Sequence, residues 1–119
     1  MFKTIALLKC KPGMSREAFI DYYEHHHAPL IRSMTPHIVE YRRNYVNLDG
    51  AYMSPGASLV DFDSVTEIWF PDRAAYEVAM ATIAEPDNWA RLVADEENLF
   101  DRDKTRMFVV EEQGALVKA

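Results

Sequence analysis

Residues 2–10 (Phe-Lys-Thr-Ile-Ala-Leu-Leu-Lys-Cys) alternate like a β-strand, yet both alternating sets are apolar. Phe2, Ala6, Leu8 and Cys10 fall on one side, Ile5 and Leu7 on the other. Such a strand is expected to be covered on both faces. In a chain of 119 residues this is the tightest constraint on the fold. One domain this small carries enough helix to cover one face of a sheet, so something else must cover the second.

The remaining periodicities fill in the order of elements. Lys11-Pro12-Gly13 reads as a turn, and Ser15 is a helix N-cap with Glu17 in the first turn. From Arg16 the apolar spacing is helical through Phe19, Tyr22, Tyr23, His26 and Leu30. Pro29 should end or distort that helix near His27 or Ala28. Residues 37–48 read as a second strand, and 49–62 as a long loop of the kind that often forms a functional lid. Residues 64–70 (Ser-Val-Thr-Glu-Ile-Trp-Phe) form the clearest strand. A helix opens at Pro71-Asp72 and runs to about Glu85. A second start at Glu85-Pro86-Asp87 leads through Trp89 and Leu92 to Glu96, and a last strand covers about 104–112.

Strand–helix–strand followed by strand–helix–strand suits one α+β domain over 1–119. The expected fold is a ferredoxin-like βαββαβ sandwich, with a four-stranded antiparallel sheet and helices on one face. The surplus apolar strand positions then call for a homodimer whose sheets close face to face.

Composition narrows the function. The net charge of −6 disfavours nucleic acid or an anionic membrane as partner. The apolar run Ile5–Leu8 is far shorter than a signal-peptide core or a membrane span, so the cytoplasm is the expected compartment. A single cysteine, Cys10, allows no intrachain disulfide. No cofactor motif is legible, neither a phosphate-binding glycine loop nor a nucleophile elbow.

His25, His26 and His27 are consecutive. Successive helical residues project about 100° apart, so the three cannot converge on one metal. On an unbroken helix His26 sits centrally in the apolar stripe, His27 lies at its edge, and His25 points outward. His27 also sits where Pro29 should end the helix, and a helix C-terminus favours imidazolium. Which of His26 and His27 faces a cavity stays open on spacing alone. Glu67 shares a strand face with Val65 and Trp69. Apolar neighbours would disfavour its charged form and suit it to acid–base work, unless it pairs with Arg106 or Arg43. Tyr22, Tyr23, Tyr41, Tyr45 and Trp69 are candidates for an aromatic pocket wall. The mixed-charge stretch Asp101-Arg102-Asp103-Lys104 reads as a solvated loop, and Cys10 as a small buried hydrophobe.

The segment Phe19-Ile20-Asp21-Tyr22-Tyr23-Glu24-His25-His26-His27-Ala28-Pro29-Leu30 resembles the helix signature of the EthD family, an aromatic pair ahead of histidine–x–proline–leucine. The resemblance continues in Leu7–Gly13, Val65–Phe70, Asp95–Asp101 and Met107–Glu112, in matching order. Tyr23 stands where tryptophan is usual, which would reshape the pocket wall. The resemblance implies a dimeric α/β-barrel, related to cofactor-free dehydratases, cyclases, isomerases and monooxygenases acting on polyketides and lactones. Of the three histidines, the family's motif matches His27.

The combined expectation is a small cofactor-independent enzyme, a lyase or isomerase in character. Its substrate would be an apolar oxygenated aromatic, polyketide-like molecule or lactone held between sheet and helix. His27 is expected to move the proton and Glu67 to orient or share it, with Tyr22, Tyr23, Tyr45, Trp69 and His26 lining the substrate. The competing expectations are a non-catalytic binder of a hydrophobic metabolite and a monooxygenase, cofactor-free or haem-linked. His27 and Glu67 on opposite sides of the sheet would favour the binder.

Overall fold

The computed structural model of the protein describes residues 1–114. The chain runs β1 (Phe2–Leu8), α1 (Arg16–Tyr22), a π-helical turn (Tyr23–His27), α2 (Ala28–Met34), β2 (Glu40–Tyr45), β3 (Ser64–Phe70), α3 (Arg73–Ala84), α4 (Pro86–Glu96), a 3-10 turn (Arg102–Lys104) and β4 (Arg106–Val110). The four strands pair antiparallel in the order β2-β3-β1-β4. This is the expected ferredoxin-like arrangement. The local chemistry explains the helix starts: Ser15 Oγ accepts the Ala18 N–H at 3.1 Å, and Asp72 Oδ1 accepts the Ala75 N–H at 2.8 Å. Pro86 begins α4, where its missing N–H costs nothing.

Pro29 distorts the helical run rather than ending it. The chain widens through the π-turn, in which the Ala28 N–H reaches the Tyr23 carbonyl, and Pro29 enters the first turn of α2. A wider turn gives room to a ring that would otherwise press on the carbonyl four residues back. The π-turn has a second effect, on side-chain direction. Phe19, Tyr23, His27 and Ile31 recur every fourth residue and all four are buried. On a regular helix that spacing drifts about 120° over twelve residues, and absorbing one extra residue cuts the drift to about 20°.

Strand register sorts side chains by parity. Thr4, Ala6 and Leu8 of β1 lie across from Ile68, Thr66 and Ser64 of β3. Thr4, Leu8, Ser64, Thr66 and Phe70 are buried beneath the helices. Leu8, Phe19, Tyr23, Ala28, Leu99 and Phe100 make one continuous core, with Phe19 and Phe100 each packed against the Tyr23 ring. The opposite parity, Ile5, Leu7, Val65, Glu67, Trp69 and Phe108, faces away from every helix, and Phe108 is 45% exposed. The apolar surplus read from the sequence is therefore real, and no helix among the described residues covers it. The 49–62 loop contributes nothing to the main cavity wall, and its Tyr52 and Leu59 are exposed.

A polar clamp fastens the π-turn to the sheet. Arg43 donates from Nη2 to Glu24 Oε1 at 2.6 Å and from Nε to Oε2 at 2.9 Å, and the Tyr45 hydroxyl also donates to Glu24 Oε2. The Arg43 guanidinium holds the Glu24 carboxyl at about 2, below its ordinary 4.5. A depressed folded-state value stabilises the fold above pH 4.5, and that contribution disappears as pH falls toward 2. Glu24→Gln should therefore unfold at lower urea than the parent at pH 7. The gap in midpoints should close as pH drops from about 4.5 to about 2, and a pH-independent gap would contradict the clamp.

Candidate functional site

A cavity of about 540 Å³ lies between the sheet and the helices. Its floor is Thr4 and Ala6 of β1, Thr66 and Ile68 of β3, Tyr41 of β2 and Met107 of β4. Tyr23, His27 and Ile31 hang from the π-turn and α2, and Met80, Ile83 and Leu92 come from α3 and α4. Trp89, Glu96, Arg102 and Asp103 complete the lining. The volume suits a small organic molecule, and the largely apolar lining with a few polar groups is typical of a pocket that recognises one.

His27 is 4% exposed. Its Nδ1 lies 2.6 Å from Asp95 Oδ2, while the Tyr22 hydroxyl donates to Asp95 Oδ1 at 3.0 Å. A carboxylate only accepts, so in the neutral imidazole the contact puts the proton on Nδ1 and the lone pair on Nε2. Nε2 makes no hydrogen bond, and among the described residues no buried side-chain nitrogen or oxygen lacks a partner. Nε2 therefore opens onto the cavity that the ring lines. The edges of Tyr23 and Phe100, each 5.0 Å away between centroids, set the ring plane. The result is a histidine held in one tautomer, with its free nitrogen facing an apolar space.

The hydroxyls nearby stay protonated. Burial pushes Tyr23 up to about 12 and raises Tyr41 well above its ordinary value. Tyr23 Oη shares a 2.7 Å hydrogen bond with Thr66 Oγ1, which in turn lies 2.9 Å from Ser64 Oγ. Both tyrosines line the cavity as neutral groups, Tyr23 fully buried with its hydroxyl already bonded to Thr66.

The other expected residues lie elsewhere. Glu67 is on the open face of the sheet, across β3 from the cavity, so it does not meet His27. Nor is its charged form disfavoured. Lys3 bridges to it at 2.7 Å and, with Asn44 at 3.1 Å and Trp69 Nε1 at 3.3 Å, holds its carboxyl below the ordinary value. Arg106 pairs instead with Asp61, and Arg43 with Glu24. Trp69 shares the open face, flanked by Lys3 at 4.9 Å and Arg42 at 4.8 Å from its ring centroid. His26 is exposed, stacked on Tyr22 at 4.6 Å, because the π-turn rotates it out of the stripe. Tyr22 acts behind Asp95 rather than on the cavity, and Tyr45 serves the Glu24 clamp. Among the expected site residues, His27 and Tyr23 reach the cavity, together with Tyr41.

Asp95, Glu96, Arg102 and Trp89 escaped the sequence reading as site residues. Arg102 and Asp103 also border the cavity rather than belonging to a purely solvated loop. The one signal for Asp95 was its place in the Asp95–Asp101 segment. Consecutive acids at a helix end look like solvated surface until α4 is packed against the π-turn.

The family model described as the EthD domain matches residues 11–103. No curated protein matches the chain. Among solved structures, an ethyl tert-butyl ether D family protein from Bacillus halodurans superposes with a TM-score of 0.61 at 18% identity, covering 95% of this chain and 100% of that one. HapK from Hahella chejuensis gives 0.62 at 18% identity, over 100% and 99%. The ActVA-Orf6 monooxygenase of Streptomyces coelicolor, in complex with nanaomycin D, gives 0.60 at 12% identity, over 99% and 92%. At these identities the likeness concerns the fold.

The Asp95 contact is testable without a ligand. Nitrogen-15 NMR of neutral His27 should show the Nδ1–H tautomer in the parent. Asp95→Ala should shift it toward Nε2–H, and an unchanged tautomer would mean that Asp95 does not set the ring.

Proposed function

The chain belongs to the EthD family, and from that premise we propose that it is a small enzyme moving protons on an apolar, oxygenated substrate, aromatic, polyketide-like or lactone. The observation that carries the reading is the Asp95-backed His27, with Nε2 open on the cavity. In this reading Nε2 takes a proton next to a substrate carbonyl, and Asp95 stabilises the imidazolium that forms. Tyr41 donates to substrate oxygen, Tyr23 packs behind it, and the apolar walls hold the carbon skeleton. The chemistry needs no redox partner, which places it with lyases and isomerases.

A non-catalytic binder is the second reading, favoured by the separation of His27 from Glu67 across the sheet. Asp95 answers that objection, since it supplies from α4 the carboxylate that Glu67 cannot. Nanaomycin D, hydroxylated aryl ketones and aryl lactones are suitable probes, with binding read as a rise in Tm. His27→Ala should keep that rise and lose about 10²–10⁴-fold in kcat/KM on any probe the parent converts. Conversion at the parent rate would sink the assignment. Binding of these probes without conversion by the parent would favour the binder.

The open sheet face is proposed to pair with a second copy, on the strength of Ile5, Leu7, Val65 and the exposed Phe108 lying together there. Light scattering should give a dimer mass for the parent and a monomer mass for Phe108→Asp. A monomeric parent would overturn the pairing.

A further inference from the structure

Among the described residues the buried polar side chains are Thr4, at 2% exposed, His27, Thr35, Ser64 and Thr66. All but one are paired. His27 meets Asp95, Thr35 Oγ1 donates to the Ile31 carbonyl at 2.7 Å, and Ser64 and Thr66 share a hydroxyl chain with Tyr23. The Thr4 hydroxyl has no hydrogen-bond partner among the described residues, yet no sealed side-chain oxygen there lacks one. Thr4 Oγ1 is therefore reached from the open space that its residue lines, the cavity between sheet and helices. Burying a hydroxyl without a partner costs stability, so a bound molecule that supplies the partner recovers it.

Thr4 and Tyr41 both pair with Ile68, from opposite sides, and all three line the cavity. They form one row across its floor, with about 10 Å between the outer two Cα atoms at ordinary strand spacing. The row also has a direction. The exposed residues of the lining are Trp89, Arg102, Asp103, Thr105 and Met107, which come from α4, from the 3-10 turn and the residue after it, and from β4. The mouth thus lies beside β4, which borders β1, whereas β2 is the far edge of the sheet. A molecule entering there passes Thr4 before it reaches Tyr41.

We propose that Thr4 is a second oxygen-binding point of the cavity, and that the ligand is an apolar skeleton oxygenated at both ends, one oxygen on Tyr41 deep inside and the other on Thr4 nearer the mouth. Ile68 lies under the skeleton between them. A hydroxyl both donates and accepts, so Thr4 can hold a carbonyl, an ether or a hydroxyl at its end. A molecule with a single oxygen leaves one of the two points unbonded and is held less tightly. Thr4's role rests on the reading of the cavity as a substrate site and adds the number and placement of the oxygens. It does not depend on whether His27 moves a proton.

Two isosteric replacements test the unbonded hydroxyl without any ligand. Thr66→Val breaks a bonded hydroxyl chain and should lower Tm by a few degrees, whereas Thr4→Val should leave Tm unchanged or raise it. A fall in Thr4→Val as large as that in Thr66→Val would place the Thr4 bond within the protein and overturn the proposal. Calorimetry then compares the naphthalenediol carrying a hydroxyl at each end of its long axis with the naphthol that lacks one of them. The parent should prefer the diol by about tenfold, the worth of one hydrogen bond. Thr4→Val should bring that preference to within about twofold, and Tyr41→Phe should do the same. A parent that binds both probes equally, or a Thr4→Val variant that keeps the full preference, overturns the proposal and leaves the cavity reading intact. A parent that binds neither overturns both.

Discussion

A four-residue repeat cannot stay on one side of a regular α-helix, and the first helical run of this chain is built on one. Phe19, Tyr23, His27 and Ile31 all point inward because one widened turn absorbs the drift. Without it, His27 would rotate toward the helix edge and His26 would take its place in the stripe. Much else follows from that turn. Phe19 and Tyr23 anchor the aromatic core, Glu24 reaches Arg43 and Tyr45 on β2, and His27 reaches Asp95 on α4. One local irregularity thus ties the helical layer to two other elements and aims a histidine into a cavity.

The cavity separates two kinds of polar order. On the open face of the sheet, Lys3, Glu67 and Trp69 satisfy one another, which makes a stable patch with no group left over for chemistry. Beneath the helices the polar groups are fewer and less saturated: His27 Nε2 has no hydrogen-bond partner among the described residues. Unspent hydrogen-bonding capacity in an apolar enclosure distinguishes a working pocket from a structural network.

The strand 64–70, the helix starts at Ser15, Asp72 and Pro86, and the antiparallel plan were all legible, because capping residues and two-residue alternation act locally. Glu67 and Trp69 were misplaced for a related reason. Alternation reveals that they share a face, but both faces of β1 and β3 are apolar enough to be the inner one. His26 was overrated because regular helical geometry was applied across a stretch that is not regular. Asp95 and Glu96 went unnoticed as site residues because no short-range pattern distinguishes an acid that packs against a histidine from one that faces water.

Local propensity and periodicity thus settled which segments become strands and helices and the presence of more apolar strand surface than one layer of helix can cover, while the order of short motifs carried the resemblance to the family. These depend on neighbours close along the chain, and the residues alone carry them. Which parity of the sheet lies under the helices, which histidine turns inward, and which carboxylates meet it were decided only by packing. His27 and Asp95 are 68 residues apart. Their contact exists because α4 lies against the π-turn, a relation set by how whole elements fit together rather than by any residue's local preference.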